Sequence, residues 1–260
     1  MPEDKELSFW DHLDVLRHLL MRVVVVWLVF GIGYFILMPE IFDKVILAPC
    51  YDNFVFYDLL KYIGTSLGFT GDFFTKEFTV HLININMAAQ FFTHLSTAFW
   101  LSVVTAVPYL IYEAWRFIAP ALYKEEKRGV RKAFLLGTVM FFIGVAVGYF
   151  MVFPLTLRFL ATYELSGAIE NQISLNSYID IFMMLILCIG LSFELPLVTW
   201  ILSLIGLLNR KTMREYRRHS FIVFFILAAI ITPTGDPFTL SVVAIPLCLL
   251  YEMSIYLMKK

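Results

Sequence analysis

Charge is what this sequence has least of. Only 16% of its 260 residues are Asp, Glu, Lys or Arg, and 60% are hydrophobic, whereas soluble domains carry about 25% charge. A soluble fold of this length has too few charged groups to cover so much apolar surface. The composition therefore excludes a disordered chain and argues against a soluble enzyme. The formal net charge of −1 lacks the basic excess of a nucleic-acid binder. Glycine (13) and proline (10) are too sparse for a fibrous or low-complexity protein. Cys50, Cys188 and Cys248 are widely spaced and form no disulfide or ligand pattern, so they read as small buried hydrophobes. The five histidines, His12, His18, His81, His94 and His219, are scattered, and no metal or other cofactor is expected. There is no Gly-rich phosphate loop, no HExxH, no GxSxG and no paired-Asp or Ser/His set inside an apolar run. The sequence is thus not read as an enzyme. Its opening, MPEDKELSFWDHLDVLRHLLMR, is acidic at the start and has no small-residue cleavage site, so it reads as an interfacial helix rather than a secretory signal.

What the sequence does have is long apolar runs. They predict an all-α polytopic membrane protein. Ser8 with Asp11 resembles a capping box, and Phe9, Leu13, Leu16 and Leu20 recur at helical spacing, so residues 1–22 form an amphipathic N-terminal helix. A six-span membrane domain follows over 23–258, and 259–260 form a short tail. The spans are placed near 23–38 (ended by Pro39), 91–112, 133–153 with an extension past Pro154, 178–204, 219–231 and 238–258. Residues 39–90 form a long cap on the opposite side. The 219–231 run would cover only about 20 Å of a hydrocarbon core roughly 30 Å thick, so it is either a short span or a re-entrant segment. Charge favours the short span. With six spans, 16 of the 20 Lys and Arg residues fall on one side, which places both termini in the cytoplasm.

Ionisable residues at membrane depth are functional candidates. Glu194, in LSFELPLV, lies deep in the fourth span beside Pro196. It either faces a hydrated polar groove or is paired or protonated within the bundle. Glu252 is a site or a partner for a basic residue at the membrane edge, and Asp236, in TPTGDP, is a site or a turn cap. Asp180 reads as a helix-start residue. Glu113, Glu125 and Glu126 sit among six basic residues in the loop after the second span. They form either a solvated face or an acidic spot for a cationic partner, flanked by Trp115, Phe117 and Tyr123. From the residues alone, a transporter or translocase ranks first, a scaffold or receptor second and a membrane enzyme last. The alternatives to a translocase are an ion-coupled small-solute transporter and a structural membrane scaffold.

Seven stretches, in order, resemble one family: FWDHLDVLRHLLMR, LAPC, AVPYLIYEAWRFIAPALYKEEKR, YFMVFPLTLRFL, LSFELPL, ITPTGDPFT and AIPLCLLYE. They resemble TatC, the multi-spanning receptor component of the twin-arginine protein translocase. The resemblance implies six helices in a concave, glove-like bundle with both termini cytoplasmic and the last two spans short. It implies binding of the twin-arginine signal peptide of folded cargo, assembly with single-span TatA/TatB-type proteins, and transport driven by the proton-motive force. Membrane lipids and other copies of the chain are further expected partners, and nucleic acid is not. Carried onto this sequence, the signal-peptide site takes Glu126, Asp14, Phe117 and Pro108, and the intramembrane polar site takes Glu194. Pro49, Asp236, Glu252, Arg17 and Glu113 are the remaining functional candidates. One position departs from the family pattern. An acid usually stands immediately before the Leu-Arg of the first helix, and here that position is Val15, with the acid at Asp14, about 100° away around the helix.

Overall fold

The computed structural model describes residues 9–68, 78–118, 124–166, 171–204, 206–232 and 235–258, and these are overwhelmingly helical. Helix α1 (Phe9–Ile41) runs unbroken from the amphipathic segment into the first apolar run. Ser8 lies outside the described residues. Leu13, Leu16 and Leu20 point away from the bundle, and Leu19 is the buried residue of that stretch.

Pro39 does not end this helix. A proline inside a helix supplies no N–H to the carbonyl four residues back, which here is that of Phe35. That carbonyl accepts instead from Nε2 of His94, at 2.7 Å, and the imidazole also lies 4.3 Å from the Phe35 ring. The helix continues to Ile41, widens into a π turn (Phe42–Ile46) and tightens into a 3₁₀ turn (Ala48–Cys50). Helix α2 (Val55–Leu67) then ends on Gly68, whose φ of 74° is the left-handed conformation that glycine adopts without strain.

This cap is fastened by tyrosine hydroxyls to backbone carbonyls. Tyr57 donates to Pro49 (2.7 Å), Tyr149 to Val45 (2.8 Å) and Tyr178 to Ile46 (2.5 Å). Edge-to-face rings surround these bonds, including Tyr57–Phe78, Phe153–Tyr178 and Phe153–Phe182. Arg158, only 1% exposed, sets its guanidinium over the rings of Tyr57 and Phe78, 5.4 and 5.3 Å from their centroids. A two-residue parallel bridge joins β1 (Leu82–Ile83) to β2 (Ile173–Ser174) and ties the cap to the segment that leads into the next long helix. Nothing in the sequence pattern pointed to these strands.

Helix α3 (Ala89–Ile118) contains Pro108 and packs antiparallel along α1. Trp27 meets Phe99, and Tyr34 bonds Thr105 at 2.6 Å. Helix α4 (Lys124–Val147) passes through a second π turn (Gly148–Val152) into α5 (Phe153–Thr162). Helix α6 (Leu175–Ser192) breaks at Phe193–Glu194 and resumes as α7 (Leu195–Leu204). Helices α4 and α6 approach so closely that a Cβ on Gly144 would lie 2.8 Å from the Phe193 Cβ and 2.9 Å from the Gly190 Cα. A short α8 (Arg210–Glu215), capped by Asn209, leads into α9 (Arg217–Ile231) and α10 (Pro237–Leu257), which form an antiparallel pair.

Among the described residues, five stretches are long and apolar enough to cross a membrane: 13–66 (which includes the cap's first part), 89–117, 134–162, 175–203 and 237–257. Helix α9, with 15 residues, spans about 22 Å and falls short of the roughly 30 Å core. The antiparallel pairings bring the N-terminal part of α1, the end of α3, the start of α4, the end of α7 and the end of α10 to one end of the bundle. The described parts of the cap, residues 163–166 and 171–174, and residues 232 and 235–236 lie at the other.

Candidate functional site

Asp14, His18 and Arg22 follow one another at four-residue spacing and so share one face of α1. On α3, Tyr109 and Glu113 have the same spacing, one turn apart. Where the two helices meet, Glu113 is enclosed, at 1% exposure. Its Oε1 accepts from Arg22 Nε at 3.0 Å and from the Tyr109 hydroxyl at 2.9 Å, and its Oε2 accepts from Arg22 Nη2 at 2.8 Å. The guanidinium thus grips the carboxylate with two parallel bonds, the strongest form of such a pair. Arg116 lies further off, with Nη1 3.9 Å from Oε1. Beside this cluster is an open cavity of about 250 Å³ lined by Asp14, Val15, His18, Arg22, Glu113 and Phe117 together with Leu19 and Arg116.

This geometry bears on several expected site residues. Asp14 and Phe117 both face the cavity. Val15 lines it too, so moving the acid by one residue does not take it away from the site. Glu113, a functional candidate that the sequence reading placed in the mixed loop after the second span, is the enclosed centre of the cluster, on α3. Pro108 lies within α3, five residues before Glu113, and does not line the cavity. Arg17 is exposed on α1 and does not line it either. Glu126 falls in the first turn of α4, and its side chain lies outside the described residues. Sequence reasoning missed Arg22 and Tyr109. An arginine at the edge of an apolar run, and a Tyr-Glu pair one helical turn apart, were the available signals.

The other candidates are dispersed. Pro49 is buried in the 3₁₀ turn, where its carbonyl receives the Tyr57 hydroxyl. Asp236 caps α10 by accepting from the Thr239 N–H at 2.7 Å. Glu252 pairs with Arg217, whose Nη2 donates to Oε2 at 2.8 Å while Nε lies 2.7 Å from Oε1. Glu194 occupies the break between α6 and α7. Its Oε1 is shielded and has no hydrogen-bond partner among the described residues. A Cβ on Gly137 would lie 2.9 Å from its Oε2, so the carboxylate rests against the bare face of α4. Pro196 stands in the first turn of α7, where its missing N–H costs little. Among the described residues no group of His, Cys, Asp and Glu has a metal-binding arrangement.

The comparisons with known proteins agree with one another. The family model for the Sec-independent protein translocase protein (TatC) matches residues 11–246. The chain is 33% identical over 256 residues to the protein of that name from Blattabacterium sp. subsp. Periplaneta americana, covering 98% of this chain and 96% of the relative. It is 33% identical over 175 residues to the one from Escherichia coli K12, covering 67% of each. A crystal structure of the twin-arginine translocase receptor TatC superposes with a TM-score of 0.74 at 28% identity, covering 94% of this chain and 96% of that one. With its apolar helical spans and this match along nearly its whole length, the chain is a multi-pass membrane protein of the TatC family, a component of the Sec-independent protein translocase.

Proposed function

We propose that the chain is the receptor that binds twin-arginine signal peptides of folded cargo. The observation that carries this reading is the cavity between α1 and α3, where Asp14 and Glu113 converge, in a chain akin to a protein named the twin-arginine translocase receptor. An arginine presents a planar fork of donors that matches a carboxylate in two bonds, and a lysine does not. Asp14, Glu126 and Phe117 form the peptide-binding surface in this reading. The receptor sits in the inner membrane with six spans and both termini cytoplasmic, so that the cavity faces the compartment where cargo folds. It works with TatA/TatB-type single-span proteins, other copies of itself and the surrounding lipid, and the proton-motive force drives transport. Glu194 supplies a polar point partway across the bilayer for the apolar part of the peptide or for a partner's span.

Site-directed photocrosslinking of a signal peptide to the full chain in membranes tests the reading. Glu126→Gln is expected to reduce capture about tenfold, the effect of losing one charge-assisted pair, with membrane insertion unchanged. Asp14→Asn is expected to reduce it less. Capture that is unaltered in both variants would refute the assignment.

A further inference from the structure

The cavity beside Glu113 contains a guanidinium of the chain's own. Arg22 occupies both oxygens of Glu113 in the bidentate geometry that an arginine of a bound peptide would adopt. Yet Arg22 is not sealed in. Its side chain is 43% exposed while that of Glu113 is 1% exposed. The carboxylate is therefore held on its inner side by Tyr109 and covered on its open side by Arg22. Asp14, two turns earlier on the same face of α1, is 65% exposed and borders the same cavity. With two acids and two guanidiniums around it, the cavity has no spare negative charge to offer a cationic ligand until one guanidinium leaves.

We propose that Glu113 is an arginine-accepting carboxylate of the signal-peptide site, and that Arg22 is a built-in competitor that a peptide arginine displaces. This rests on the receptor reading above and deepens it. The exchange replaces one guanidinium with another on the same two oxygens, so the bond energies nearly cancel. The balance is tipped by the second peptide arginine, which pairs with Asp14, and by the return of the Arg22 side chain to water. A single arginine gains only the even exchange, and a lysine cannot match the fork. The competitor thereby sets a threshold that a pair of arginines passes. It also couples binding to structure, because Arg22 pins the N-terminal part of α1 to α3. Displacing it frees that part of α1 to move.

The test measures binding of a fluorescent signal peptide carrying Arg-Arg, and of its Lys-Lys counterpart, to the purified full chain. Arg22→Gln removes the competitor and is expected to tighten Arg-Arg binding roughly fivefold or more, since the half-exposed Arg22 no longer has to leave Glu113. Lys-Lys binding should gain less. Glu113→Gln is expected to lower the Arg-Arg to Lys-Lys preference about tenfold. Arg22→Gln that leaves Arg-Arg binding unchanged, or weakens it, overturns displacement while leaving the receptor reading intact. A wild-type chain that does not distinguish the two peptides overturns both. A second measurement keeps the native pair. Spin labels at Met21 and Tyr112, both exposed, with the three native cysteines replaced by alanine, should report a longer or broader distance when the Arg-Arg peptide binds. An unchanged distance with the peptide bound also overturns displacement.

Discussion

Glu194 and Glu113 are both acids in membrane helices, and their surroundings lead to opposite expectations. Glu113 is held by three donors, so its removal strands Arg22 and Tyr109. Glu194 has a shielded oxygen with no partner among the described residues. An unpaired carboxylate away from water is costly unless protonated or hydrated, so it contributes little to holding the bundle together. Glu194→Ala is therefore expected to change the thermal stability of the detergent-solubilised protein by less than about 1 kcal/mol, while export of a folded reporter falls sharply. Thermal unfolding and an export assay on the same variant check this. A large loss of stability with export per folded molecule retained would assign Glu194 to the scaffold. Glu194 stood out in the sequence as a charge among apolar residues, and Glu113 as one acid of a mixed, mostly basic segment. The partner of Glu113 did not, because Arg22 is 91 residues away and the pairing depends on the register of two helices, which single-helix periodicity does not contain.

At the level of the element, the helices were legible and their ends were not. Apolar runs of 20 or so residues locate membrane helices because the bilayer fixes their length. Their termini depend on who satisfies the backbone, and that is decided across the bundle. Pro39 marks the point. Read locally, a proline stops a helix, and 23–38 was the natural span. Here His94 on α3 donates to the carbonyl that Pro39 leaves without its usual donor, and α1 continues. Upstream, the amphipathic segment from Phe9 runs into the first span as one continuous helix. If His94 serves Phe35 in this way, the two residues must be coupled. His94→Ala is expected to cost about 1–2 kcal/mol in detergent stability by leaving the carbonyl unpaired. In a Pro39→Ala background, where residue 39 again has an N–H, the same change should cost at least about 0.5 kcal/mol less. Equal losses in the two backgrounds would show that the histidine acts through packing alone.

For the whole molecule, the question is which end faces the cytoplasm, and two observations give the expectation. The first is electrostatic. Residues 1–22, 116–132, 210–218 and 259–260 hold 16 of the 20 Lys and Arg residues, and segments with such a basic excess are expected on the cytoplasmic side. The second is geometric and concerns α9, which is too short by itself to settle whether it crosses. The start of α9 meets the end of α10 through Arg217 and Glu252, and Tyr251 donates to the carbonyl of Met213 in α8 at 2.8 Å. The chain therefore comes back to the level of α8 however deeply α9 reaches, and the end of α10 shares the side of Arg210 to Arg218. A shallow turn at Thr232–Asp236 would thin the bilayer locally rather than reverse the topology. Single cysteines placed at Lys260 and at Asp58 in the cap, in a chain whose native cysteines are replaced, are expected to react oppositely with a membrane-impermeant maleimide. In intact cells Asp58→Cys should be labelled and Lys260→Cys protected, and in inverted membrane vesicles the pattern should reverse. Labelling of Lys260→Cys from outside would separate the C-terminus from the basic end and break the pairing of α9 with α10 on which the topology depends.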